Sequence, residues 1–322
     1  MQKQHGASHV DTGRCLLTGT RGSGWVLNVV EWLPRLEDSL TSRLTTLIIL
    51  TGNIMKTGTA SLTNSFKKSN LELVAAIKDT FRNSLTHDTA SFHHDADTGL
   101  LEVPDIRHKS NIPPEDRKEL DITAKLFFLP SPSANTLPVS YIDQSLAHLK
   151  ALLDVDTVDT FVVSFGDVAF DEDDEEDERE GKIKTEDMLR VWKDLESRHR
   201  RGVFSKLGVS EFSRARLNTF LSNVDIVPKV NQINLRDCCV MPHELIQYSR
   251  EKDIELLTHS DSIDILPTET LETLINEYKL SPIAAITPRW VLKYSVIIAS
   301  RGVVADKGYI VSADAENSVL RT

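Results

Sequence analysis

Residues 185–210 read TEDMLRVWKDLESRHRRGVFSKLGVS, an amphipathic stretch followed at once by an apolar one. The first part reads as a helix opened by Thr185 and closed near Gly202, and VFSKLGVS, 203–210, as the strand it leads into. Upstream lies a second strand, DTFVVSF, 159–165, so the three segments form one strand–helix–strand unit. Nearly continuous apolar strands separated by helices predict a parallel sheet covered by helices.

The same alternation extends in both directions. TTLIILTGN (45–53), AKLFFLP (124–130), KVNQINL (229–235) and IELLTH (254–259) read as further strands. LELVAAIKDTFRNSL (71–85), with Leu71, Val74, Ile77, Phe81 and Leu85 on one face, reads as a helix, as do 139–155, about 213–223, 242–252 and 266–280. TPRWVLKYSVIIASRG (287–302) reads as a helix leading into a last strand, and THDTASFHHDADTG (86–99) as a loop. Seven strands in this order predict an α/β fold of the (β/α)8 TIM-type barrel class, irregular in its N-terminal part. The expected organisation is a partly flexible N-terminal extension over 1–44, the barrel over 45–312 with a disordered acidic insertion at 170–182, and a C-terminal tail over 313–322.

Of 322 residues, 40% are hydrophobic and 26% charged, which is ordinary globular usage with ample core material. The acid run DEDDEEDERE, 171–180, carries −8 of the net charge of −11, and subtracting it leaves −3 for the remainder. With no basic face, a nucleic-acid partner is not expected. The run reads as a solvated insertion, with an acidic docking element as the alternative. The apolar stretch WVLNVVEWL, 25–33, is interrupted by Asn28 and Glu31, and no run approaches the ~20 apolar residues of a membrane span. Three cysteines, Cys15, Cys238 and Cys239, make no disulfide framework, and a soluble, cytoplasmic chain is expected.

Candidate chemistry is sparse. The glycines of TGTRGSG give GxxGxG with no strand before them, so no phosphate cradle is read there. His87, His93, His94 and Asp95 share one polar loop but lack an HxxxH helix or companion cysteine, and no metal is assigned. Cys238 and Cys239 are contiguous, which denies them the CxxC spacing of a zinc or redox pair. They stand as small residues at a strand end or as reactive, partner-linking thiols. The strand C-termini, where a barrel carries its site, show no paired carboxylates and no Ser/His/Asp set.

LGVSEFSRARL and VPKVNQINL resemble the GVSNF…VNQ signature of aldo-keto reductases, NADP-dependent (β/α)8 barrels. The resemblance implies a tetrad of Asp, Tyr, Lys and His, which this chain departs from. Ser164 stands where the histidine would follow the fourth strand, Pro130 stands where the lysine would be, and no tyrosine occurs between Gly52 and Tyr141. Ser210 and Gln232 match cofactor positions, Glu211 replaces an asparagine, and His259 lies near the nicotinamide-stacking tyrosine. These are vestigial cofactor candidates, and no cofactor is expected to be required.

A closer resemblance is to the regulatory subunits of glutamate–cysteine ligase, a non-catalytic branch of that superfamily. It is carried by LTGNIMKTG (50–58), PPEDRKELDITAKLFFL (113–129), NQINLRDCCVMPHEL (231–245), DIELLTHSD (253–261) and PRWVLKYSVIIASRGVVADKGYIV (288–311). It implies a heterodimer with the catalytic subunit of glutamate–cysteine ligase, improved use of glutamate by that subunit, relief of its inhibition by glutathione, and no chemistry in this chain. Cys238 and Cys239 are then expected at or near the partner contact. The alternative is a working NADP-dependent reductase of small carbonyl substrates.

Overall fold

The computed structural model describes residues 44–56, 69–85, 91–107, 109–110, 112, 114–130, 137–166, 168–170, 183–235, 241–280 and 283–317. Ten strands form one sheet: β1 Thr46–Leu50, β2 His93–Asp95, β3 Leu100–Pro104, β4 Leu120–Phe128, β5 Val158–Phe165, β6 Phe204–Ser210, β7 Val230–Ile233, β8 Glu255–Thr258, β9 Ile283–Ile298 and β10 Val303–Asn317. The helices are α1 Ser69–Leu85, α2 Ser140–Leu153, α3 Thr185–Arg200, α4 Arg214–Leu221, α5 His243–Glu251 and α6 Thr268–Glu277.

The strand order is β2-β3-β1-β10-β9-β4-β5-β6-β7-β8. From β4 to β8 every neighbour is parallel, with helices α2 to α5 between consecutive strands, as the alternating pattern predicts. The expected α/β class and the βα order therefore hold. Among the described residues, however, no ladder joins β8 to β2, so the sheet is not closed by backbone hydrogen bonds.

A second departure concerns the C-terminal part. Instead of a helix from residue 287, β9 runs unbroken to Ile298 and pairs antiparallel with both β4 and β10. The period is two: Trp290, Leu292, Tyr294 and Val296 pack in one core, and Val291 in the other. β10 then pairs antiparallel with β1 and continues to Asn317, past the boundary expected at 312. The segment expected as a loop over 86–99 contains β2, which pairs with β3. There Asp95 accepts hydrogen bonds from the Asp97 amide (3.0 Å) and the Thr98 hydroxyl (2.7 Å), bracing the turn.

Alternate strand residues divide between two cores, one on each sheet face. Ile122, Ala124, Leu126 and Phe128 of β4 face α2, α3, α4 and α5 through Ile142, Trp192, Leu217 and Leu245. Ile49, Val291, Tyr309 and Val311 face α1 and α6. On α1 the buried stripe is Leu73, Ile77 and Phe81, and Leu71 is 45% exposed, one step round from the expected face.

Two of the segments that carry the closer resemblance, 50–58 and 288–311, meet at one point. Thr51 and Tyr309 exchange bonds through Thr51 N to Tyr309 O (3.0 Å) and Tyr309 N to Thr51 Oγ1 (2.8 Å), and Tyr294 donates to Gly52 O at 3.2 Å. Gly308 lies opposite Tyr294 in the ladder, and a Cβ on it would sit 2.2 Å from Gly52 O and 2.6 Å from Tyr294 Oη. Only glycine lets these backbones approach so closely. Gly308→Ala is therefore expected to cost about 3 kcal/mol, read as a lower urea midpoint with an unchanged m-value. An unchanged midpoint would contradict the close approach.

Candidate functional site

The C-terminal ends of β6, β7 and β8 bring together Ser210, the backbone carbonyl of Gln232 and His259. Ser210 Oγ lies 3.3 Å from His259 Nε2 and donates to Gln232 O at 3.2 Å. The site also holds four charged residues, of which sequence reasoning noted only Glu211.

Lys125 of β4 and Lys293 of β9 are directly opposed in an antiparallel pair. Their side chains are only 4% and 23% exposed. Two like charges ~5 Å apart repel by about 3 kcal/mol at an effective dielectric of 20, so the pair needs an anion. Asp261, 2% exposed, supplies it: Oδ2 accepts from Lys125 at 2.8 Å and Oδ1 from Lys293 at 2.7 Å. Lys125 also donates to Ser210 Oγ at 2.9 Å.

Burial pushes the Asp261 carboxyl up, but Lys125 and Lys293 together hold it well below the usual carboxylate range. Burial pulls Lys125 down, and Asp261 offsets part of that. Two lysines and two carboxylates thus stand in the cluster in equal number.

Asp261 follows β8, which is four strands removed from β4. Across a flat sheet that is ~19 Å, at ~4.8 Å per strand. A 2.8 Å ion pair across it means that the segment after β8 folds over a strongly curled sheet. The curl that no backbone ladder closes is held from within by this carboxylate.

Glu211 follows β6 with φ +63, a left-handed conformation that asparagine tolerates better than glutamate. Its Oε1 accepts from the Asn234 amide at 2.7 Å and lies 2.7 Å from His259 Nε2. Its Oε2 is buried without a hydrogen-bond partner. Asp261 N donates to His259 Nδ1 at 3.0 Å, which leaves Nε2 as the protonated nitrogen that donates to Glu211. Asn234 Nδ2 donates to Asp261 O at 2.6 Å, so β7 and the segment after β8 are tied as well.

The space left is small. Phe127, Ser164, Val168, Glu211, Asn234, His259, Asp261, Ser262 and Ile263 enclose a cavity of about 10 Å³, room for about one water. Among the described residues this cavity is far below the ~300–1,000 Å³ of small-molecule sites, and Glu211 and His259 line it while Ser210 and Gln232 do not.

The tetrad fares no better. Ser164 does line the cavity, but a serine is no proton carrier at neutral pH. Tyr294 lies 3.3 Å from Asp306 in the buried patch with Gly52 and Ser110, yet burial and then Asp306 hold its phenol well above the usual tyrosine range. It is a poor general acid, and Gly308 packs against its oxygen.

Of the remaining candidates, Cys238, Cys239, His87 and the acid run 171–180 lie outside the described residues. His93 is exposed and His94 partly buried in β2, and no group of three metal-ligating side chains occurs among the described residues. No helix among them is long and apolar enough to cross a membrane.

Residues 55–261, more than half of the chain, match the model of the Aldo/keto reductase family. The chain belongs to that family. It is 27% identical over 292 residues to the glutamate–cysteine ligase regulatory subunits of Mus musculus and Homo sapiens, a match that covers 88% of this chain and 98% of each of theirs. A crystal structure of an aldo-keto reductase of the silkworm, Bombyx mori, matches with a TM-score of 0.32 and 16% identity, over 61% of this chain and 46% of that one, less than half its length.

The neutral histidine gives the site a pH signature. Burial, only partly offset by the bond to Glu211, lowers His259 below its ordinary 6.5, so the unfolded chain binds a proton that the folded chain refuses. Stability is then full above pH 6.5 and falls as pH drops through the lowered value. Urea denaturation between pH 8 and 5 is expected to show this slope, and His259→Gln to reduce it. His148, which burial also lowers, adds to the slope, and Asp306, which burial raises, opposes it toward the acid end. Equal slopes in the two proteins would contradict the assignment.

Proposed function

We propose that this chain is the regulatory subunit of a glutamate–cysteine ligase, forming a cytoplasmic heterodimer with the catalytic subunit that joins glutamate to cysteine using ATP and magnesium. The observation that carries this reading is the span of the likeness: it covers nearly the whole length of the mouse and human regulatory subunits. The strand-end site supports it, because among the described residues the paired Lys125, Lys293, Glu211 and Asp261 leave a cavity of only about 10 Å³ beside them.

Regulation of this kind is a coupling free energy. The regulatory chain binds the active conformation of its partner more tightly than the glutathione-inhibited one, and the partner's affinity for glutamate rises accordingly. A fivefold gain in glutamate affinity needs only about 1 kcal/mol of preference. A rigid scaffold delivers that through its surface without chemistry of its own. Cys238 and Cys239, within a stretch that carries the resemblance, are assigned to the contact.

Mixing the purified chain with the catalytic subunit is expected to give a complex on size exclusion. The KM for glutamate should fall severalfold, and inhibition by glutathione should weaken. Failure to form a complex, together with unmoved kinetics, would overturn the proposal. The double variant Cys238→Ser, Cys239→Ser is expected to lose any oxidation-dependent cross-link to the catalytic subunit while keeping reversible assembly.

A further inference from the structure

We propose that Lys125 and Lys293 build a carboxylate-binding seat, which Asp261 fills from within the same chain and thereby both closes the curled sheet and shuts out a nucleotide. The two ammonium groups converge from directly opposed positions on β4 and β9, and each takes one oxygen of the same carboxylate. His259 Nδ1 lies 3.2 Å from Oδ2, and the Phe127 ring lies 4.9 Å from Lys125 Nζ, which walls the seat on its apolar side. The seat is thus nearly dry and carries two positive charges on groups whose backbone positions the sheet sets.

Its occupant comes from the other end of the parallel run. Asp261 is the acid that both lysines share, and Glu211 Oε1 is already committed to Asn234 and His259. The seat therefore selects for a carboxylate rather than for aspartate as such, and a free carboxylate of the right size should replace the side chain. The same occupancy bears on the family's cofactor: Asp261 lines, with Glu211 and His259, a strand-end cavity of about 10 Å³, so a ring bound there would have to displace it.

Chemical rescue tests the seat. Asp261→Gly is expected to lower the melting temperature by roughly 10 °C, the effect of leaving buried charges unpaired. Sodium formate, at the ionic strength of a sodium chloride control, should restore most of that loss in the variant and leave the wild-type protein unmoved. Equal effects of formate and chloride on the variant would overturn the seat.

If Asp261→Gly does not accumulate in folded form, Asp261→Asn and the double variant Lys293→Met, Asp261→Asn decide the matter. The double variant, with no opposed charge left to neutralise, should be the more stable of the two; a less stable double variant would count against the proposal. The wild-type chain, titrated with NADPH, should show no saturable quenching of tryptophan fluorescence and no rise in melting temperature. Saturable binding at micromolar concentration would overturn the exclusion of nucleotide, whatever the outcome of assembly with the ligase.

Discussion

Two lysines that face each other across an antiparallel ladder are a liability, and the architecture of this protein is arranged around the carboxylate that removes it. β9 is inserted between β10 and β4, which sets Lys293 against Lys125. The repulsion between them is comparable to a sizeable fraction of a domain's net stability, so the pairing of β4 with β9 is tolerable only when an anion sits between the two. That anion arrives from the segment after β8, and its arrival requires the sheet to curl. Register in one half of the sheet and curvature in the other are therefore consequences of one three-residue contact.

The ion bridge does what a backbone ladder does in a fully closed barrel, but by different means. A ladder distributes closure over many weak bonds along an edge, whereas here a few side-chain bonds concentrate it at the strand ends. The bonds of Glu211 to Asn234 and His259, and of Asn234 to the carbonyl of Asp261, extend it to β6 and β7. The left-handed backbone at Glu211 costs of order 1–2 kcal/mol, and it holds because two buried donors would otherwise lack an acceptor. Removing the cluster to make room for a ligand would give up closure, charge balance and these bonds together.

Much of this was legible in the sequence. The parallel run β4 to β8 with its helices follows from apolar strands alternating with amphipathic stretches, and Ser210 meets His259 and the backbone carbonyl of Gln232. The hairpin of β9 and β10 was not legible as such, because RWVLKYSVII is long and contains leucine and lysine at spacings that also suit a helix. Its period of two becomes decisive only once Trp290, Tyr294 and Val296 are seen to share one core. Lys125 lies inside its strand, five residues before Pro130, and so escapes a reading of strand ends. The missed signal was local: a lysine within the apolar run AKLFFLP is a buried charge in waiting, and such a charge requires a partner elsewhere in the chain. Which acid would answer it cannot be read from spacing, since Asp261 is 136 residues away.

The same cluster bears on why a reductase fold should serve as a regulator. An enzyme site is kept open and unsatisfied, with groups poised for a substrate, and it draws on the stability of its scaffold to stay so. Here the strand-end groups are paired with one another, and the one orphan, Glu211 Oε2, faces a space no larger than a water. A site satisfied from within has no reason to open, and the scaffold around it becomes stiffer. Stiffness is what a regulatory partner contributes, because a surface that does not yield can favour one conformation of the protein it binds over another. An aspartate placed between two lysines thus fills the strand ends with the chain's own groups, which suits a regulatory role carried by the surface.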